Sequence, residues 1–156
     1  MSKYENEQRG EVLVIDDEPS IAEALKMILE DSNYRVSIAL TGRDGIEQAR
    51  RGQFCLTITD LRLPDMTGFD IIDAICRDKP ESLFILITSH GSEEVLAEAQ
   101  NCGVAGFLLK PFPPSEILQL VASTLATRRA SDAGASCLIA LSAAATETPC
   151  CGSDTR

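Results

Sequence analysis

Val12-Leu13-Val14-Ile15-Asp16-Asp17-Glu18-Pro19 carries an apolar run straight into three acidic residues and a proline. A run of this length, closed by polar residues, suits a strand buried on both faces, as in a parallel sheet. Pro19 stands where a helix can begin, because proline is favoured at the first helical position. Three further runs have the same form. Leu56-Thr57-Ile58-Thr59 ends in Asp60, Leu83-Phe84-Ile85-Leu86-Ile87 ends in Thr88, and Gly106-Phe107-Leu108-Leu109 ends in Lys110-Pro111. In open α/β sheets, ligands bind outside the carboxyl ends of the strands. Carboxylates, a hydroxyl and an ammonium are therefore expected along one edge, a set able to hold a divalent cation beside a phosphoryl group.

The intervening segments have helical periodicity. Ile21, Leu25, Ile28 and Leu29 mark one face up to about Asp31, and Arg35 to Ala39 alternates weakly as another strand. Thr41 can cap a helix bearing Ile46 and Ala49 that stops near Gly52. The loop Leu61–Gly68 is punctuated by Pro64 and Gly68, which read as turn-makers. A helix with Phe69, Ile72, Ile75 and Cys76 on one face follows and stops before Pro80. A less apolar helix covers Ser92 to Asn101. Pro113-Pro114-Ser115-Glu116 opens a last helix with Ile117, Leu120, Val121 and Leu125 inward. Alternating strands and helices predict right-handed βαβ crossovers. The expected fold is α/β, a flavodoxin-like (βα)5 doubly wound parallel sheet with strand order 2-1-3-4-5. That order makes the first and third strands neighbours, so Asp16, Asp17 and Asp60 meet.

Residues 1–9 read as a flexible N-terminus, 10–127 as one domain, and the Ala-, Ser- and Thr-rich residues 128–156 as a disordered tail. Net charge is −10, and the densest basic spots are Arg50-Arg51 and Arg128-Arg129. Direct nucleic-acid binding, which needs clustered Lys and Arg, is therefore not expected. Neither a signal peptide nor an apolar stretch of spanning length is visible, which predicts a cytoplasmic protein without membrane contact. Six cysteines show no CxxC and no regular spacing. Cys55 falls in a strand run, Cys76 and Cys102 in predicted helices, and Cys137, Cys150 and Cys151 in the tail. Reduced thiols are expected, the first three mostly buried, rather than a zinc site or a disulfide framework.

Clustered carboxylates repel and are costly unless a cation neutralises them. Mg2+ is the natural occupant, being a hard cation held by one or two carboxylates together with water and phosphate oxygens. A carboxylate can also attack a phosphoryl group and form an aspartyl phosphate. Asp60, alone on its strand, is the candidate nucleophile, with Asp16 and Asp17 holding the metal. Lys110 would neutralise a phosphoryl oxygen, and Thr88 would donate a hydrogen bond to another. Taken singly, Asp16-Asp17 reads as a solvated strand end, Thr88 as a cap and Phe107 as a core aromatic. Their order and spacing favour the shared site.

Together these residues resemble the receiver domain of bacterial two-component response regulators. The matching text is Val-Leu-Val-Ile-Asp16-Asp17-Glu18, Thr59-Asp60-Leu-Arg-Leu-Pro64-Asp65-Met-Thr-Gly68, Ile87-Thr88-Ser89 and Phe107-Leu-Leu-Lys110-Pro111-Phe112, within residues 10–126. The resemblance implies that Asp60 accepts phosphate from a sensor histidine kinase or phosphotransfer protein. It implies that Asp16, Asp17, Asp60 and the main-chain carbonyl of Arg62 bind Mg2+. Thr88 and Phe107 would form a switch pair, and Lys110 would contact the phosphoryl group beside a cis bond to Pro111. The signalling face would lie within residues 92–127, open to a downstream protein or to a homodimer. Such a module assists its own phosphorylation and dephosphorylation but is not an enzyme with a separate substrate. A further reading has His90 and Arg62 gating water at the phosphoryl group. Cys150-Cys151 as a metal or redox site is the weaker reading of that pair.

Two rivals fit less well. A haloacid-dehalogenase-type aspartyl phosphatase expects Asp-x-Asp at the first strand, where this chain has Asp16-Asp17-Glu18. A flavodoxin-like electron carrier needs a phosphate-binding loop there, which these acids would repel. A receiver fragment of a longer transcription factor or hybrid kinase is the remaining alternative.

Overall fold

A computed structural model of the protein describes residues 10–132. Its elements alternate along the chain: β1 (Glu11–Ile15), α1 (Pro19–Glu30), β2 (Arg35–Ala39), α2 (Gly42–Arg51), β3 (Leu56–Asp60), α3 (Gly68–Asp78), β4 (Phe84–Thr88), α4 (Glu93–Asn101), β5 (Gly106–Leu109) and α5 (Pro114–Asp132). All strand pairs are parallel, in the order β2-β1-β3-β4-β5. This is the expected flavodoxin-like arrangement. The strand period of two sends alternate residues to opposite faces. Val12, Val14, Leu56, Ile58, Ile85 and Ile87 pack with α1 and α5, while Leu13, Ile15, Phe84 and Leu86 pack with α2, α3 and α4. β3 and β4 are buried along their whole length. β2 lies at the sheet edge and is mostly half-buried, which explains its weaker apolar signal.

The differences from the sequence reading are local. α3 buries Gly68, Ile71, Ile72 and Ile75, one helical stripe, and leaves Phe69 and Cys76 at its margin. β5 stops at Leu109 rather than Lys110. The Lys110 N–H still donates to the Thr88 carbonyl at 2.8 Å, and the cis Lys110–Pro111 peptide follows at once. α5 runs to Asp132, five residues past the boundary expected at 127. The remainder of the expected tail, with Cys137, Cys150 and Cys151, and the N-terminal residues 1–9 lie outside the described residues. Cys55 precedes β3, Cys102 caps α4, and Cys55, Cys76 and Cys102 are half-buried rather than mostly buried. Among the described residues no helix is long and apolar enough to cross a membrane.

α2 has little apolar surface and is held at both ends by polar groups from elsewhere. Thr41 Oγ1 accepts from the Asp44 N–H at 3.1 Å. The Asp65 carboxylate accepts from the Gly42 and Arg43 N–H groups at 3.0 and 2.9 Å. These two bonds hold Asp65 below the ordinary carboxyl value of 3.8. At the other end, the Lys79 ammonium donates to the carbonyls of Ala49, at 2.9 Å, and Gly52. Cations stabilise helix carbonyl ends, where the last C=O groups have no partner within the helix. Lys79→Met is expected to lower stability by about 1.5 kcal/mol in urea unfolding, the scale of hydrogen bonds to a charged group. An unchanged midpoint would show that the clamp contributes nothing.

Candidate functional site

The neighbouring strands β1 and β3 end side by side, so Asp16 and Asp60 leave the sheet at the same edge. Asp16 and Asp60 are buried, at 2% and 8% exposure, while Asp17 is exposed. Oxygen atoms of Asp16, Asp17 and Asp60 all lie within 4.8 Å of one another. Lys110 comes in from the end of β5. Its ammonium lies 2.8 Å from Asp60 Oδ2 and 3.3 Å from Asp16 Oδ2. The remaining oxygen of each buried carboxylate is taken by a main-chain donor two residues on. Asp16 Oδ1 accepts from the Glu18 N–H at 2.9 Å, and Asp60 Oδ1 accepts from the Arg62 N–H at 3.1 Å.

The charges do not balance, because one ammonium faces three carboxylates. Burial pushes the Asp16 carboxyl above its ordinary 3.8, and the charge of Asp60 adds to this against the Glu18 N–H and Lys110. For Lys110, burial pulls downward, but the hydrogen bond to Asp60 and the charges of both aspartates outweigh it and hold the ammonium above 10.5. A cluster of oxygen ligands with excess negative charge is the donor set that a hard divalent cation favours. The residues present fit such an ion.

Thr88, at the end of β4, is buried. Its hydroxyl donates to the His90 carbonyl at 3.4 Å and accepts from the His90 N–H at 3.2 Å. Phe107 pairs with Leu86 in the neighbouring strand, so Thr88 and Phe107 share one face of the sheet. Phe107 is half-buried against the α3 and α4 side. Arg62, His90 and Pro111 are exposed in loops leaving this edge. Gly68 makes the loop after Asp60 possible. A Cβ there would stand 2.7 Å from the Asp60 carbonyl oxygen and 3.2 Å from Leu61 Cα, both backbone atoms. Sequence reasoning placed Asp65 in this loop without assigning its bonds to α2. The faint signal was that Thr41 accounts for only one of the unpaired N–H groups at the start of that helix.

The chain matches a family model described as the response regulator receiver domain over residues 12–122. It is 37% identical over 98 residues to Regulatory protein LuxO of Vibrio cholerae, an alignment covering 63% of this chain and 22% of that protein. It is 33% identical over 120 residues to Response regulator protein PilR of Pseudomonas aeruginosa, covering 77% of this chain and 27% of that one. The chain thus spans about a quarter of the length of these curated relatives. Among solved structures, the signal receiver domain of a LuxO repressor protein from Vibrio parahaemolyticus superposes with TM-score 0.75 at 33% identity, covering 80% of this chain and 96% of that one. A CheY-like receiver domain from Methanospirillum hungatei gives TM-score 0.75 at 28% identity, covering 78% and 97%. The beryllofluoride-activated NtrC4 receiver domain dimer gives 0.72 at 34%, covering 76% and 98%.

Removing Lys110 should expose the charge imbalance. Lys110→Met is expected to cost about 3 kcal/mol at neutral pH, because two buried carboxylates lose their counter-charge. Asp16 takes up a proton more readily folded than unfolded, so its contribution to stability is lost as pH rises through its raised value and is fully present below 3.8. The penalty should therefore shrink as pH falls through that window, followed by denaturant titration. A penalty independent of pH would contradict the electrostatic origin.

Proposed function

The chain belongs to the response regulator receiver family of two-component signalling, and from that premise we propose that Asp60 is its phosphoacceptor and Mg2+ its cofactor. The observation that carries this reading is the shared ammonium: Lys110 lies between the two buried carboxylates Asp16 and Asp60. In the proposed reaction, an Asp60 oxygen attacks the phosphorus of a phosphohistidine on a sensor histidine kinase or phosphotransfer protein. The P–N bond breaks with its electron pair returning to nitrogen, the histidine, protonated on its other ring nitrogen, leaves as neutral imidazole, and an acyl phosphate remains on Asp60. Asp16, Asp17, Asp60 and the Arg62 main-chain carbonyl would hold Mg2+. When bound, the ion neutralises charge on the phosphoryl oxygens. Lys110 would then turn from carboxylate partner to phosphoryl partner, as a mobile point charge on a flexible stem.

The Thr88 hydroxyl would exchange the His90 carbonyl for a phosphoryl oxygen. That bond is long, at 3.4 Å, and so a weak competitor. Phe107, on the same face and only half-buried, would move into the space vacated. In this way a local charge change repositions residues 92–127, the proposed face for a downstream protein. Leu109, 47% exposed there, offers that partner an apolar contact. A homodimer would use the same face at an electrostatic cost. Residues 92–127 carry Glu93, Glu94, Glu98 and Glu116, and their single base is Lys110, already engaged in the site. The proposed role is that of a cytoplasmic signalling module that assists its own phosphorylation and dephosphorylation, not of an enzyme with a separate substrate. An aspartyl phosphatase of the haloacid-dehalogenase type is not favoured by the family match.

Incubation with Mg2+ and acetyl phosphate is expected to give a base-labile phosphoryl adduct on intact mass, absent without Mg2+ and absent in Asp60→Asn. An adduct persisting in Asp60→Asn would refute the assignment. Arg62 and His90 flank the edge as exposed side chains. Replacing both with Ala is expected to change the adduct's lifetime and leave Mg2+ affinity nearly unchanged; an unaltered lifetime would remove them from the reaction.

A further inference from the structure

We infer that Asp65 is a positioning residue for the metal-binding end of the site, acting through the Arg62 peptide. This rests on the proposed assignment of the Arg62 carbonyl to the cation. Asp65 stands at the tip of the loop between Leu61 and Gly68, and that loop is closed on itself. The Gly68 N–H donates to the Leu61 carbonyl at 2.7 Å, and the Leu63 N–H to the Met66 carbonyl at 3.1 Å. Arg62 and Thr67 face each other in an antiparallel bridge. A loop tied at these points moves as one body, so the position of its tip sets the position of Arg62.

The tip is anchored outside the loop. Asp65 Oδ1 accepts from the Gly42 N–H at 3.0 Å and Oδ2 from the Arg43 N–H at 2.9 Å. Hydrogen bonds to an ionised acceptor are the stronger kind, and a helix N-terminus favours the negative charge. Met66 packs at the same point, where a Cβ on Gly42 would run into its Cγ. α2 already has its own cap, since Thr41 Oγ1 accepts from the Asp44 N–H. Asp65 therefore joins two loops at the carboxyl edge rather than merely completing one helix. At its other end the same loop presents the Arg62 N–H to Asp60 Oδ1 at 3.1 Å. Both oxygens of Asp65 thus anchor the loop in which Arg62 gives its N–H to Asp60 and, from the next peptide unit, would offer its carbonyl to the cation.

Mg2+ titration by calorimetry, with wild type, Asp65→Ala, Asp65→Asn and Thr41→Ala, tests this. Asp65→Ala is expected to weaken Mg2+ binding about tenfold, the scale of lost supporting contacts around a metal site. It should also speed hydrogen exchange of the Arg62 amide in metal-free protein. Asp65→Asn keeps one oxygen acceptor and should fall in between; it also serves if Asp65→Ala does not fold. Thr41→Ala weakens α2 without touching the loop and should bind Mg2+ as wild type does. Unchanged Mg2+ affinity in Asp65→Ala, or an equal loss in Thr41→Ala, would overturn the positioning role. If wild type itself binds no Mg2+, the proposed function fails, and this inference with it; wild-type binding with no effect of Asp65→Ala sinks the inference alone.

Discussion

One ammonium shared between two buried carboxylates is the interaction on which the rest depends. Lys110 bridges the ends of β1 and β3 from the end of β5, so it samples the full width of the working edge. It offsets part of the repulsion between Asp16 and Asp60 but leaves the cluster negative. Incomplete neutralisation is costly to stability. It also suits the edge to a divalent cation, whose positive charge would relieve repulsion already present. The backbone supports this arrangement by giving each buried carboxylate one N–H donor, from Glu18 and Arg62.

The sheet explains why these groups meet. Parallel strands place every strand end on one side, and the order β2-β1-β3-β4-β5 brings β1 against β3. The loops leaving that side are then fastened to one another. Asp65 ties the loop after β3 to α2, and Lys79 fastens the far end of the same helix. α2 has little apolar surface, so polar clamps take over part of the role that packing has elsewhere. Among the described residues, the Thr88 hydroxyl is held by its own loop, through the His90 N–H and carbonyl. Asp60 is therefore built on fastened supports, while the Thr88 hydroxyl has only long bonds to the turn after β4 among the described residues.

The parts legible in the sequence were those governed by local pattern. Each apolar run closed by a polar residue became a strand, ending at Asp60 and Thr88 and one residue before Asp16 and Lys110, because burial on both faces leaves a simple signature. β2 was fainter because an edge strand is only half covered. In α3, Phe69 looked more apolar than its position allowed, and Ile71 took the buried place through helical geometry. Asp65 and Lys79 were not legible as clamps, since their partners lie more than 20 residues away in the chain. The hydrogen bonds of Thr88 to His90 depend on the turn that follows β4, and no residue pattern encodes that turn. Membership of the receiver family was carried by four separated motifs in order, and the family match over residues 12–122 agrees with it.

The central claim is that Asp16, Asp17 and Asp60 form one Mg2+-dependent acceptor site with Lys110 as its counter-charge. A crystal structure grown with Mg2+ and beryllofluoride tests it most directly. The account requires the beryllium bound to an Asp60 oxygen, Mg2+ among the three aspartates, and the Lys110 ammonium moved onto a fluorine. Beryllofluoride on another carboxylate, or Mg2+ held away from Asp16 and Asp17, would contradict it.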